Sequence, residues 1–373
     1  MPYVLAQNPR TAINATIQRA SVAARAAMNR FDGETLAQLQ AIYQQASHEI
    51  QSQINAFANV DGALTLNTLQ PLKAQVDQVL NNLDRASMTL LNGSLTEAAS
   101  LGANPFAEIL TGSAMSRIST DAVNFVHNFV ANDGLQLSDR IWRVSNNAHQ
   151  VIGNAIESAI IQGHGASQAV NHLLANGLPI PADLQSKLNA ANAVGVGRAS
   201  VNALMTGAGS PRANALRLFR TEMNRAHGEA YMMGGADHED FGGWRFLLSP
   251  RHPEADECDM HARVNRYGLG AGVYPTRKAC PWPAHPNTLS YVEIVFKDEI
   301  TADDKAGKEN RIDWLNGQIS SIQHGVLNSR GKQGMLHAGL LKENQILTPW
   351  VTLKSRLISK GIDPDGLVVR ATN

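Results

Sequence analysis

The chain has 373 residues, with 32 Lys and Arg balanced by 32 Asp and Glu, so its formal net charge is zero. That length allows a sizeable core and two or three domains, and the balanced charge excludes global steering toward nucleic acid or an anionic membrane, though not a local basic patch. Two cysteines in so long a chain form no disulfide framework, and no apolar run approaches the ~18 residues of a membrane span. The N-terminal stretch MPYVLAQNPRTAINATIQRA lacks a signal peptide's apolar middle, so synthesis in a cytosol is expected. Aromatic residues are scarce while Ala, Gln and Asn are plentiful, a composition that suits long, loosely amphipathic helices.

Taken in order, residues 10–60 read as helix. Leu36, Leu39, Ile42, Tyr43, Ala46, Ile50 and Ile54 recur at spacings of three and four before Asp61-Gly62 breaks the pattern. A second helix spans Thr68 to Leu91, with Leu69, Leu72, Val76, Val79, Leu80 and Leu83 on one face. The two read as a helical hairpin, or as an arm that needs a partner surface. Asn92–Gly112, rich in Gly, Ser and Asn, is a candidate boundary. A helix over Ser119–Val130 and a turn at Asp133-Gly134 follow. Ser138 is then the expected N-cap of a helix carrying Ile141, Trp142, Val144, Ile152 and Ile156, which Gly163 and Gly165 end. Ser167 caps a short helix closing at Gly177, and one further helix runs from Ala182 to about Leu204. Ala213–Met233 is helical, with Leu216, Phe219, Met223, Ala226, Ala230 and Met233 inward. Its Arg220 and Glu222 are read as ion-pairing charges rather than catalytic groups.

Two strands are expected, Trp244–Leu248 and Ser290–Phe296, followed by a charged linker over Asp298–Asn310. Helices come after it at Trp314–Leu327, about Gln333–Leu341 and Asn344–Ile362. The fold class is therefore mainly α with a small α+β lobe between about 242 and 297. The expected divisions are 1–95, an N-terminal helical arm; 96–212, a central helical region; 213–297, the core with the lobe; and 298–373, a C-terminal helical region. The arm is expected to be dispensable for folding of the 135–297 region.

Between the strands lie both cysteines and three of the twelve histidines, in HPEADECDMH and CPWPAHPN. Cys258 and His261 are separated by two residues, Cys280 and His285 by four. Two close pairs joined by a longer loop is how a short chain builds a tetrahedral zinc site, and a Cys₂His₂ set fills all four positions and is structural. The alternatives are buried thiols with surface histidines, or a single disulfide. Asp256, Glu257 and Asp259 beside Cys258 argue against a reactive thiol. His252-Pro253-Glu254 matches half of a zinc-deaminase signature, but the downstream Pro-Cys-x-x-Cys is missing, as are HExxH, P-loop and GxSxG motifs. No catalytic residues are assigned, and an enzyme is not expected.

Four segments together carry a resemblance: GLQLSDRIW (Gly134–Trp142), FRTEMNRAHGEAY (Phe219–Tyr231), WRFLLSPRHPEADECDMH (Trp244–His261) and PAHPNTLSYVEIVF (Pro283–Phe296). In this order the chain resembles the phage head morphogenesis family, the minor head proteins of the phage Mu F type, with the family domain covering about 155–296. Members run from an Arg-Thr-Glu helix, through a Trp-containing strand and a Cys-x-x-Cys turn, to a His-Pro-Asn-Cys box and a closing strand. Here His261 replaces the second Cys of the turn and Thr288 the Cys after His-Pro-Asn. Only Cys258 and His285 carry over as family ligands, with Cys280 available to supply the missing thiolate. The resemblance implies a virion protein of the capsid interior or portal vertex, made in the host cytoplasm. Its partners would be portal protein, inner capsid or scaffold proteins, with weak contact to packaged DNA and a role in procapsid assembly, packaging or ejection. The competing expectation is a zinc-dependent hydrolase or nuclease acting on nucleic acid.

Overall fold

A computed structural model describes residues 9–130, 133–250, 252–286, 288–364 and 366. The first eight residues and Asn287 of the His-Pro-Asn box lie outside the described residues. The fold is mainly helical with one small antiparallel sheet. The chain divides into two compact units, neither continuous in sequence: one from 1–26, 99–122 and 227–373, the other from 27–98 and 123–226.

The second of these units is all helix: α1 (Pro9–Ala56) and α2 (Leu66–Ala103) in part, the end of α3 (Gly112–Asn128), then α4 (Leu137–Ala175), α5 (Ala182–Ala190), α6 (Ala193–Met205) and the first half of α7 (Pro211–Gly235). The apolar stripes read from sequence are buried where α1 presents Leu39, Tyr43, Ile50 and Ile54 and α2 presents Leu72, Val76, Leu80 and Leu83. Three expected helix limits move. Helix α2 runs on through Asn92–Ala103 with Leu95, Ala98 and Ala99 buried, so that stretch of small residues is packing surface and not a linker. Helix α4 starts after Gln136, whose N–H donates to Asp139 (2.9 Å), and it continues through Gly163. A side chain at Gly163 would collide with Ala191, its Cβ falling 1.8 Å from that residue's, so this glycine permits close helix packing and ends nothing. Asn192 divides the expected 182–204 helix in two by accepting the N–H of Gly195 (2.7 Å).

From Thr221 to Met232 every residue of α7 is buried. Glu222 lies between two guanidiniums, 3.1 Å from Arg140 and 2.8 Å from Arg225, and Arg225 also sits 4.1 Å over the Phe129 ring. Burial holds the Glu222 pKa above the ordinary carboxylate range in spite of both arginines. Two resemblance segments thus meet, since Arg140 belongs to GLQLSDRIW and Glu222 to the Arg-Thr-Glu helix. Trp142, placed on the apolar face by its spacing, is instead 63 % exposed.

The other unit carries β1 (Phe241–Leu247), α8 (Glu257–Arg263), β2 (Val273–Tyr274) and β3 (Tyr291–Phe296), then α9 (Ala302–Ala306), α10 (Arg311–Asn316), α11 (Ser320–Leu327), α12 (Arg330–His337) and α13 (Trp350–Ile358). Strand β1 is central, pairing Trp244 with Tyr274 on one side and with Ile294 on the other. The sheet core gathers Ile17, Phe106, Tyr231, Trp244, Phe246, Trp282 and Ile294. Trp282 lies so close over Gly228 that a Cβ there would stand 2.1 Å from the indole, and its Nε1 donates to the Ser290 carbonyl (2.8 Å). A second core joins Met260 of α8 and Val264 just after it to Trp314, Leu327, Met335 and Leu353 of the C-terminal helices. Residues near the N-terminus take part as well: Ile17 is fully buried, the Ser21 and Tyr231 hydroxyls are 2.8 Å apart, and Arg25 donates to the Leu289 carbonyl (2.6 Å). Residues 17–25 therefore pack within this unit, which the expected division at 95 did not foresee.

Replacing Glu222 with Ala takes this carboxylate from the buried Arg225 and leaves Arg140 with Asp133 (3.0 Å), and is expected to cost about 3 kcal/mol. Urea unfolding of the variant beside wild type measures it. An unchanged midpoint would show that the pair is solvated and contributes nothing.

Candidate metal centre

Helix α8 begins where it does because Asp256 and Asp259 cap it reciprocally. Asp256 Oδ1 accepts the Cys258 N–H (2.7 Å), and Asp259 Oδ2 accepts the Asp256 N–H (3.0 Å). This turn fixes the Asp256 carboxylate beside the Cys258 thiol. From the segment before β3, His285 completes a cluster: its Nε2 is 3.2 Å from Cys258 Sγ and 3.0 Å from Asp256 Oδ2. His285 Nδ1 is 3.0 Å from the Pro286 carbonyl. A carbonyl only accepts, so Nδ1 carries its proton and Nε2 is the atom turned to the thiol and carboxylate, the orientation in which a histidine ligates a metal.

Donor atoms of Asp256, Cys258 and His285 all lie within 4.8 Å of one another. Ligands around a tetrahedral zinc stand roughly 3.4–3.6 Å apart, given bond lengths of about 2.0–2.3 Å. The observed separations need only a small expansion to admit an ion, and thiolate, imidazole and carboxylate are all zinc donors, so the residues present fit a metal. Asp256 also belongs to a second group, with His252 and Asp259; His252 Nε2 is 2.8 Å from Asp259 Oδ2, and Arg263 pairs with the same carboxylate at 3.0 Å.

The four ligands expected from spacing were Cys258, His261, Cys280 and His285, and only Cys258 and His285 come together. Neither His261 nor Cys280 belongs to a group of three or more donors among the described residues. His261 lies on α8 and turns toward β2, its Nδ1 3.4 Å from the Tyr274 hydroxyl and its ring 5.8 Å from that of Phe246. Burial, with Arg311 nearby, pushes its pKa down to about 4, leaving a neutral packed imidazole. Cys280 is a free thiol in the sheet core, pushed up to about 11 by burial. Both cysteines are free, which also sets aside the disulfide. Spacing misled because Cys-x-x-His here lies on a capped helix, not in a metal-binding turn. The member of the donor cluster that spacing missed is Asp256. Its signal was the Asp-x-x-Asp capping pattern, two residues ahead of the cysteine. Thr288, standing where the family pattern has its last Cys, is 3.8 Å from Cys258 Sγ through its hydroxyl.

Without metal, the hydrogen bond to Asp256, then that to Cys258, raises His285 to about 11. Burial alone would raise Asp256, but hydrogen bonds from His285 and the Cys258 N–H outweigh it and hold that carboxyl below its usual range. No helix among the described residues is long and apolar enough to cross a membrane. No protein-family model, curated protein or solved structure matches the chain.

Because the folded pKa of His285, about 11, exceeds its ordinary 6.5, its pairing stabilises the metal-free fold fully below pH 6.5 and ceases to do so as pH rises through about 11. Asp256→Asn keeps a capping oxygen but removes the charge. The variant is expected to unfold at lower urea than wild type at pH 6, with the difference closing toward pH 11. A pH-independent difference would show that Asp256 acts on helix α8 alone.

Proposed function

We propose that this chain is a minor head protein of a tailed bacteriophage, acting in head morphogenesis through contacts with portal, inner capsid or scaffold proteins. The observation that carries the reading is the ordered set of resemblance segments and the use the fold makes of them. The second half of α7, β1 with α8, and the segment from Pro283 through β3 build one lobe around Trp244, Trp282 and Ile294. Gly228 of the Arg-Thr-Glu helix is the residue that admits Trp282. Tyr231, Trp244, Phe246, Cys258, Val292, Ile294 and Phe296 of that core lie in the quoted segments, whereas Trp282, Tyr274, Phe106 and Ile17 lie outside them. The reading places the protein in the virion, with weak contact to DNA, and gives it no catalytic residue.

Zinc belongs to the same proposal, held by Asp256, Cys258 and His285. When bound it would join the start of α8 to the segment entering β3, and its binding energy would add to folding of the lobe. Cys258→Ser and His285→Ala are each expected to lose a single zinc per chain, measured by atomic spectroscopy on the purified protein. Cys280→Ser and His261→Ala should retain it. Retention of zinc by Cys258→Ser would remove this assignment.

The second reading, a zinc-dependent hydrolase or nuclease, is favoured by one observation: the cluster has three protein donors, not the four of a closed structural site. Against nucleic acid as substrate, Glu254, Asp256 and Glu257 line the same side of the adjoining cleft.

The decisive experiment is mass spectrometry of purified procapsids and mature heads from the phage encoding the chain, with portal pull-down from the procapsid fraction. The chain is expected in procapsids at low copy, enriched with portal. Its absence from both particles, while abundant and soluble in the lysate, would overturn the proposal.

A further inference from the structure

The metal cluster forms part of the wall of a cleft of about 920 Å³, toward the upper end of the usual size for ligand sites. Asp256 and His285 line the cleft and are each about a third exposed, while Cys258 behind them is fully buried. An ion on these donors is thus covered by protein on the thiol side and reachable from the cleft. The three donors found among the described residues leave a tetrahedral zinc one position short, a position for a ligand entering by the cleft to fill.

The rest of the cleft shows what would enter. Glu254 and Glu257 line the cleft with Asp256, and Leu347, Pro349 and Trp350 line it as well. Leu347 is 48 % exposed and Trp350 half-buried, an apolar strip for a side chain to lie on. Of the basic residues lining the cleft, Lys332 gives its ammonium to the Ile346 carbonyl (2.7 Å), His285 belongs to the metal cluster, and His324 is the third. A phosphodiester backbone would meet three carboxylates, with the one ammonium already engaged. A peptide meets no such penalty: its carbonyl or carboxylate oxygen suits a hard metal position, its apolar side chain the strip, and a basic residue the carboxylates.

We infer that the cleft binds an extended peptide segment of a head partner, one oxygen of which completes the coordination of the metal. This rests on the metal assignment made above and names the surface that the partner would use. The site then works as a ligand-gripping centre, with zinc as the anchor and residues 347–350 as the apolar shelf.

The test uses the full chain loaded with cobalt(II), whose visible spectrum reports thiolate ligation and coordination number. The probes are acetohydroxamate, N-acetyl-phenylalanine hydroxamate and a twelve-residue oligothymidylate. Both hydroxamates are expected to change the cobalt spectrum saturably, the phenylalanine form binding about tenfold or more tightly because its ring reaches the shelf. Leu347→Ser and Trp350→Ala should each narrow that difference and leave acetohydroxamate binding unchanged. Leu347, being exposed, can be changed without emptying a core, and circular dichroism checks both variants. A thiolate–cobalt spectrum that no hydroxamate alters would mean a closed site and overturn this inference while sparing the metal assignment. Failure to take up cobalt with thiolate ligation would overturn both. Tighter binding of the oligonucleotide than of the phenylalanine hydroxamate would overturn the peptide assignment.

Discussion

The reciprocal hydrogen bonds between Asp256 and Asp259 decide where helix α8 begins, and much of the unit that holds it follows from that start. With the first turn set there, Cys258 faces the sheet core, while Met260 and Val264 face the C-terminal helices. A helix of seven residues has little intrinsic stability in water. Its persistence comes from apolar cores on two sides and a cap at its head. The same cap residue presents a carboxylate to His285, so the helix start and the candidate metal position are one piece of chemistry.

In the other unit the comparable constraint is a single carboxylate between two guanidiniums. Helix α7 is buried on all sides through this stretch, which forces its polar residues to find partners inside the protein. Arg140, contributed by α4, supplies one. Such a buried set is weak evidence of added stability, but it ties α4 to α7 through Arg140 and Glu222.

Much of the fold was legible because its signals are local. The stripes on α1 and α2 are periodic over many turns, and the alternation in Tyr291–Phe296 marks a strand whatever its neighbours. Small residues were the main source of error. Asn92–Ala103 and Gly163 read as breaks, yet they are sites where helices pack closely, a property of the neighbour and not of the segment. Two of the three members of the candidate metal cluster were legible, Cys258 and His285. The third was hidden because metal-ligand spacing presumes a turn, whereas Asp256-Glu257-Cys258-Asp259 encodes a helix start. Once α8 is helical, His261 is carried toward Tyr274 and the capping carboxylate takes its place. Cys280 was read as a ligand from its spacing to His285, and burial makes it a core thiol.

The tryptophans lend the molecule a built-in optical contrast. Trp244, Trp282 and Trp314 are shielded within one unit, whereas Trp142 is the single tryptophan of the other and stands 63 % in solvent. Buried indoles emit toward the blue and resist collisional quenchers, while a solvated indole emits toward the red and is quenched readily. The blue, protected light therefore comes from Trp244, Trp282 and Trp314, and the red, quenchable light from Trp142 with a contribution from the half-buried Trp350. The Trp282 Nε1 is tied to the carbonyl of Ser290, on the segment that also carries His285. The shielded and the solvated indoles can in this way be watched apart without a label being attached to either.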